Sequence, residues 1–195
     1  MHIVTALGEA AASPETGEKP MHQEMIVSEI RKATEEVFAT MLGLETVSGE
    51  PKAEQAAPGP TDGVVSLIGL AGAWVGTGSI SCDSETACRL SGNFLMTEFT
   101  SVNEEVLDAM AELTNMIVGS FKTAIEESLG PMGLSIPTVI YGRNFTTRTV
   151  SKNDWTLVPF HCGEDTFYIH ICLAPAEPKT AHPSRPGFTE LQPVS

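Results

Sequence analysis

Residues 103–130, NEEVLDAMAELTNMIVGSFKTAIEESLG, decide the reading of the whole chain. At roughly 100° per residue, Val106, Met110, Leu113, Ile117, Phe121 and Ala124 fall in one apolar arc. Asp108, Glu112, Asn115 and Gly119 cluster about 170° away from it. The pattern predicts a long helix with a core face and a separate outward stripe. A capping box from Ser101 to Glu104 is expected to open it, because the serine hydroxyl can take an orphan backbone N–H and the glutamate can return the bond. Gly130 followed by Pro131 is expected to close it. A merely solvated face would carry long charged side chains, yet the middle turns of this stripe offer an acid, a carboxamide and a glycine. That combination reads as a surface meant to be approached.

Composition bounds what such a surface can serve. The chain has 195 residues, 42% hydrophobic and 6% aromatic, enough for one globular domain with a real core. A formal net charge of −14 argues against nucleic acid and anionic membranes, both of which call for clustered Lys and Arg. Proteins or small molecules are the expected partners. No apolar run reaches the roughly 18 residues of a membrane span, and the N-terminus lacks a basic segment leading into an apolar one, so a cytoplasmic location is expected. Cys82, Cys88, Cys162 and Cys172 are too few and too scattered for a disulfide framework, and are expected as reduced thiols.

Outward from the central helix, residues 1–23 read as a disordered leader, 24–174 as the single folded domain and 175–195 as a disordered Pro-rich tail. A second amphipathic helix is predicted over 24–42, with Ile26, Ile30, Ala33, Val37 and Met41 as its stripe and Gly43 as its stop. Its polar face holds Glu35 and Glu36, with no Asn three residues on. Residues 48–63, dense in Pro and Gly, read as an exposed loop. Residues 64–71 and 73–82 read as paired strands, and Asp83 as the cap of a short helix ending near Met96. The glycines at 69, 72, 76 and 78 lack the complete spacing of a phosphate loop and sit inside a strand pattern, where glycine marks bulges or close backbone contact. A short strand opened by Pro137 follows, then a last hairpin of 155–162 and 166–173. A long helix followed by strands thus occurs twice, which suggests a pseudo-repeat without a visible sequence period. The expected fold is α/β of the α+β type, a mostly antiparallel sheet flanked by two long helices.

His161, Cys162, His170 and Cys172 fall on the two strands of that last hairpin, a possible zinc or copper set. His161 and Cys162 point to opposite faces, so four ligands do not converge and cross-strand packing is the expectation, with no metal site. No GxSxG elbow or HExxH run is present, which removes two hydrolase templates.

The run Asp108, Glu112, Asn115, followed by Gly119 and by Pro137 opening the next strand, resembles the signature of the CheC/CheX/FliY family of bacterial chemotaxis phosphatases. SLIGLAGAWVGTGSISCDSETA (66–87) is similar to the family's strand pair and short helix, and IPTVIYGRNF (136–145) to its next strand. With one such motif and none in the first helix, the chain resembles the CheX branch more than CheC, whose two helices both carry it. The resemblance implies a phosphatase acting on the aspartyl phosphate of a CheY-like response regulator. It assigns Asn115 and Glu112 to catalysis, with Glu112 also docking on a receiver lysine, Asp108 as an accessory contact, and Gly119 admitting the partner's surface. It further implies no cofactor of the chain's own, Mg²⁺ in the partner receiver, and a homodimer formed through sheet edges, either the Pro137 strand or the last hairpin. A non-catalytic module of the same fold that grips a receiver or motor component is the alternative.

Overall fold

Phe38 and Phe167 stack with ring centroids 4.6 Å apart, and Phe160 stacks on Phe167 at 5.4 Å, so one aromatic column ties the first helix to the sheet beneath it. This geometry comes from a computed structural model, which describes residues 18–54, 62–143, 145 and 155–176. Helix α1 (Glu18–Val37) runs into a π turn (Phe38–Leu42) and is followed by β1 (Val47–Ser48), β2 (Lys52–Glu54), β3 (Asp62–Gly72) and β4 (Trp74–Cys82). The second half comprises α2 (Ser84–Leu95), α3 (Glu104–Leu129), β5 (Met132–Leu134), β6 (Thr138–Arg143), β7 (Trp155–Cys162) and β8 (Asp165–Pro175). Every strand pairing is antiparallel.

The eight strands form one sheet in the order β1/β2, β7, β8, β4, β3, β5/β6. Exchanging the two halves maps this order onto itself. The long hairpins β3–β4 and β7–β8 meet at β4–β8, where Gly78 lies opposite Ile171, and each half sends its short strands to edge the other half's hairpin. The three helices cover one face of this sheet and share with it a single core that includes Ile30, Phe38, Leu113, Phe121, Ile80 and Ile169. Gly78 lets α3 come close, since a Cβ there would sit 2.7 Å from a methyl of Val118. The strand glycines therefore serve packing, as expected. All four cysteines are buried, and the thiols of Cys82, Cys88 and Cys162 are free.

Several expectations change in detail. Helix α1 begins at Glu18, inside the segment read as leader, and Gln23 donates a 2.8 Å hydrogen bond to Thr156. Met41 was expected in the core but is 44% exposed, because the π turn puts more residues into one turn and brings Leu42 inward instead. The expected 48–63 loop contains β2 and the end of β1, both paired with β7; residues 55–61 lie outside the described residues, as do 1–17 and 177–195 of the expected leader and tail. The last hairpin provides no free sheet edge, since β7 is flanked by β8 and by β1/β2. On the far side of the sheet, β6 pairs only with β3 among the described residues.

Candidate functional site

Helix α3 is capped by Asn103 and not by the expected Ser101 to Glu104 box: the Asn103 side-chain oxygen accepts from Val106 N–H at 2.9 Å. Glu104 and Glu105 in the first turn complement the positive end of the helix. At the other end Gly130, at φ 85°, donates its N–H to Glu126 O at 2.9 Å, a backbone conformation that favours glycine. Val106, Met110, Leu113, Ile117 and Phe121 are fully buried, as the periodicity requires. Ala124 is exposed, and the last turns are anchored by Ile125 and Leu129 instead.

This deep seating fixes the direction of the opposite stripe. Asp108 and Glu112 are exposed, Asn115 and Gly119 half-buried, and all four lie along one outward line over three turns. Among the described residues, the side chains of Asp108, Glu112 and Asn115 make no hydrogen bond or ion pair. The helix carries one cation, Lys122, which is engaged with Glu126 at 2.8 Å. Glu126 also accepts from Met132 N–H at 2.8 Å. The Lys122 bond first, and the Met132 bond second, hold the Glu126 carboxyl below the usual carboxylate range. Glu126 is thus committed to tying β5 to the helix, whereas both oxygens of Glu112 are unbonded among the described residues.

Gly119 has room around it. A Cβ there would meet only Leu134 Cδ1, at 3.7 Å, an ordinary contact. Internal packing therefore does not require glycine at this position. Leu134 belongs to β5, a strand of three residues too short to leave a periodicity in the sequence, and it is the neighbour that the sequence reading missed.

Other titratable groups stand apart from this stripe. His170 is 1% exposed on the face of the sheet away from the helices, with Nε2 2.9 Å from Ser81 Oγ, and desolvation pushes it down to about 4. His161 is exposed and bonded to Thr166 at 3.0 Å. Among the described residues no three His, Cys, Asp or Glu side chains gather to hold a metal ion. A 450 Å³ cleft runs beside the end of α2, lined by Arg89, Asn93, Met96 and Phe99, and includes none of the four outward residues of α3.

The sequence profile described as chemotaxis phosphatase CheX matches residues 64–161, half of the chain, spanning the central hairpin, α2, α3 and most of β7. The chain belongs to the CheX family. The CheY-P phosphatase CheX of Thermotoga maritima is 27% identical over 125 residues, covering 64% of this chain and 80% of that protein. The chemotaxis protein CheX of Vibrio vulnificus is 30% identical with a TM-score of 0.68, over 76% of this chain and 99% of that one. The fold also matches the CheX chain of a CheX–CheY–BeF₃–Mg²⁺ complex from Borrelia burgdorferi, at 23% identity and a TM-score of 0.66, over 76% and 97% of the two chains. Within this CheX fold, the outward stripe of α3 lies inside the family match. No helix among the described residues is long and apolar enough to cross a membrane.

Proposed function

We propose that the chain hydrolyses the aspartyl phosphate of a phosphorylated CheY-like response regulator, with the outward stripe of α3 as its working surface. The observation that carries this reading is the pairing of Glu112 and Asn115 on one helix face, both without side-chain partners among the described residues, in a chain of the CheX family. The name of the Thermotoga maritima relative supplies the substrate class.

An acyl phosphate in a receiver domain already has its phosphorus polarised by the receiver's own Mg²⁺ and lysine, so what a partner must add is an ordered water. A carboxamide is too weak a base to take a proton outright. Its oxygen accepts and its nitrogen donates, which suits it to hold a water in line with the phosphorus. Asn115 takes this role, and its partial burial on a helix with ten buried residues limits how far it can swing. Glu112, one turn away and exposed, pairs with the receiver lysine and sets the register of docking. Asp108 adds an outer contact, and Gly119 lets the receiver's backbone lie close. The chain needs no cofactor of its own in this scheme. It acts in the cytoplasm as a homodimer, with the side of β6 away from β3, which has no strand on it among the described residues, as the edge for a second copy.

The test is phosphate release from a phosphorylated CheY-like receiver in Mg²⁺, with and without the protein. Accelerated release that disappears in Asn115→Ala supports the assignment. If the protein binds the phosphorylated receiver without changing its rate of dephosphorylation, the non-catalytic module is the correct reading. Sedimentation at tens of micromolar showing only a 20.8 kDa monomer would remove the dimer.

A further inference from the structure

Ile136 is 88% exposed, an unusual position for a large β-branched side chain, and it sits in the turn between β5 and β6. Four constraints fix that turn. Ser135 Oγ accepts from Gly69 N–H at 2.8 Å and donates to Ile136 O at 3.0 Å. Ser135 N–H donates to Gly69 O at 2.9 Å. Pro137 locks the next φ. Upstream, β5 is tied to α3 by the bond from Met132 N–H to Glu126 and by Leu134, which lies under Gly119. The turn is therefore pinned to β3 and, through β5, held against the helix that carries Asn115.

We propose that Ile136 is an apolar anchor for the same receiver domain that docks on α3, and so a specificity-determining residue of the phosphatase; the inference rests on the function proposed above. Distance permits it. Asn115 and Gly119 are about 6 Å apart along the helix, and the path through Leu134 to Ile136 limits the total separation to little more than 20 Å. A standard interface of roughly 800 Å² per partner spans about 30 Å, so a domain centred near Asn115 covers the turn. Energetics favour it as well. An exposed side chain on a pre-ordered turn loses little conformational freedom on binding, and a single buried aliphatic group of this kind is enough to shift affinity at least tenfold. Met96 is more exposed still, at 93%, but it caps α2 beside the separate cleft and has no comparable tie to the α3 stripe.

The experiment compares wild type, Ile136→Ser and Ile136→Leu in the full chain. It measures KM and kcat for phosphate release, affinity for a beryllofluoride-activated CheY-like receiver, and sedimentation. Expected is a rise of about tenfold or more in KM and in the receiver Kd for Ile136→Ser, with kcat within twofold and melting temperature unchanged, and near-wild-type values for Ile136→Leu. Unchanged KM and Kd overturn the proposal; if self-association weakens at the same time, the residue belongs to a contact between copies. The receiver Kd separates this idea from the catalytic one. A wild type that binds but does not hydrolyse, with binding lost in Ile136→Ser, sinks the phosphatase reading and keeps the anchor. A wild type that does neither sinks both.

Discussion

Helices α1 and α3 stand at the same place in the two halves of the molecule, each leading into a pair of short edge strands and a long hairpin, yet they are built to different ends. Helix α3 runs 26 residues without interruption, and ten of them are buried, so its outward stripe keeps strict helical spacing. Helix α1 widens into a π turn at Phe38–Leu42, where the spacing of three and four residues that aligns side chains is lost. Glu35 and Glu36 are exposed like Glu112, but three residues on stand Phe38, which stacks in the core, and Ala39, which lies in the π turn. A duplicated architecture thus supports one regular helix on which two side chains can be aimed and one irregular helix that closes the core. The same topology does not confer the same chemistry.

The contrast can be broken at its deepest point first. Phe121→Ala removes a fully buried ring beneath the α3 stripe and is expected to cost about 3–5 kcal/mol in denaturant unfolding. Ala124→Ser, exposed three residues on, should stay within about 0.5 kcal/mol. Equal costs would mean that α3 is seated differently from the way described.

Next in size is the junction between the halves. Ser81 on β4 and His170 on β8 bond diagonally across it, and His170 is held down to about 4 against an ordinary 6.5. The folded protein keeps this ring neutral while the unfolded chain takes up a proton below pH 6.5. Unfolding free energy should therefore fall as pH drops from 6.5 toward 4, by about 3 kcal/mol from this group, and its contribution should be flat above 6.5. His170→Gln should lose that slope in urea melts taken at pH 7, 6 and 5. A slope equal to wild type would show that the ring titrates normally in the folded state.

A comparable effect, now on rate, is expected at the outward stripe. Asn115→Ala should lower phosphate release about 100-fold, with the receiver Kd within a few-fold and the melting temperature within about 2–4 °C of wild type. Adding Ala39→Asn to that variant, which gives α1 a carboxamide three residues after Glu36, should restore less than a tenth of the lost activity because the π turn misaligns the pair. Recovery to wild-type rate would remove the distinction drawn between the helices. The smallest change concerns α1 alone: Met41→Gln should alter stability by no more than about 0.5 kcal/mol, since the π turn exposes this side chain.

Much of this was legible in the residues. The apolar arc of α3, the Gly130 stop, the Asp83 cap of α2 and both long hairpins follow from periodicity and local backbone chemistry, which act over a few residues and leave a pattern there. The placement of Asp108, Glu112, Asn115 and Gly119 on one outward line follows from the same period. The two-to-three-residue strands β1, β2 and β5 left no such pattern. They are strands because β7 and β3 present open edges to them, a fact of tertiary placement alone.

The sequence by itself therefore determined the three helices, the strands of the two long hairpins and which face of α3 turns outward, because those choices are made by neighbours a few residues away. Only the tertiary structure decided that each half borders the other's hairpin, that Leu42 and not Met41 turns inward, that Glu126 is committed to Met132 while Glu112 has no partner among the described residues, and that Leu134 lies next to Gly119. Most of these depend on contacts between groups well beyond one helical turn of each other in the chain. Their partners are chosen by packing, hydrogen-bond satisfaction and the closing of sheet edges, which no local pattern encodes.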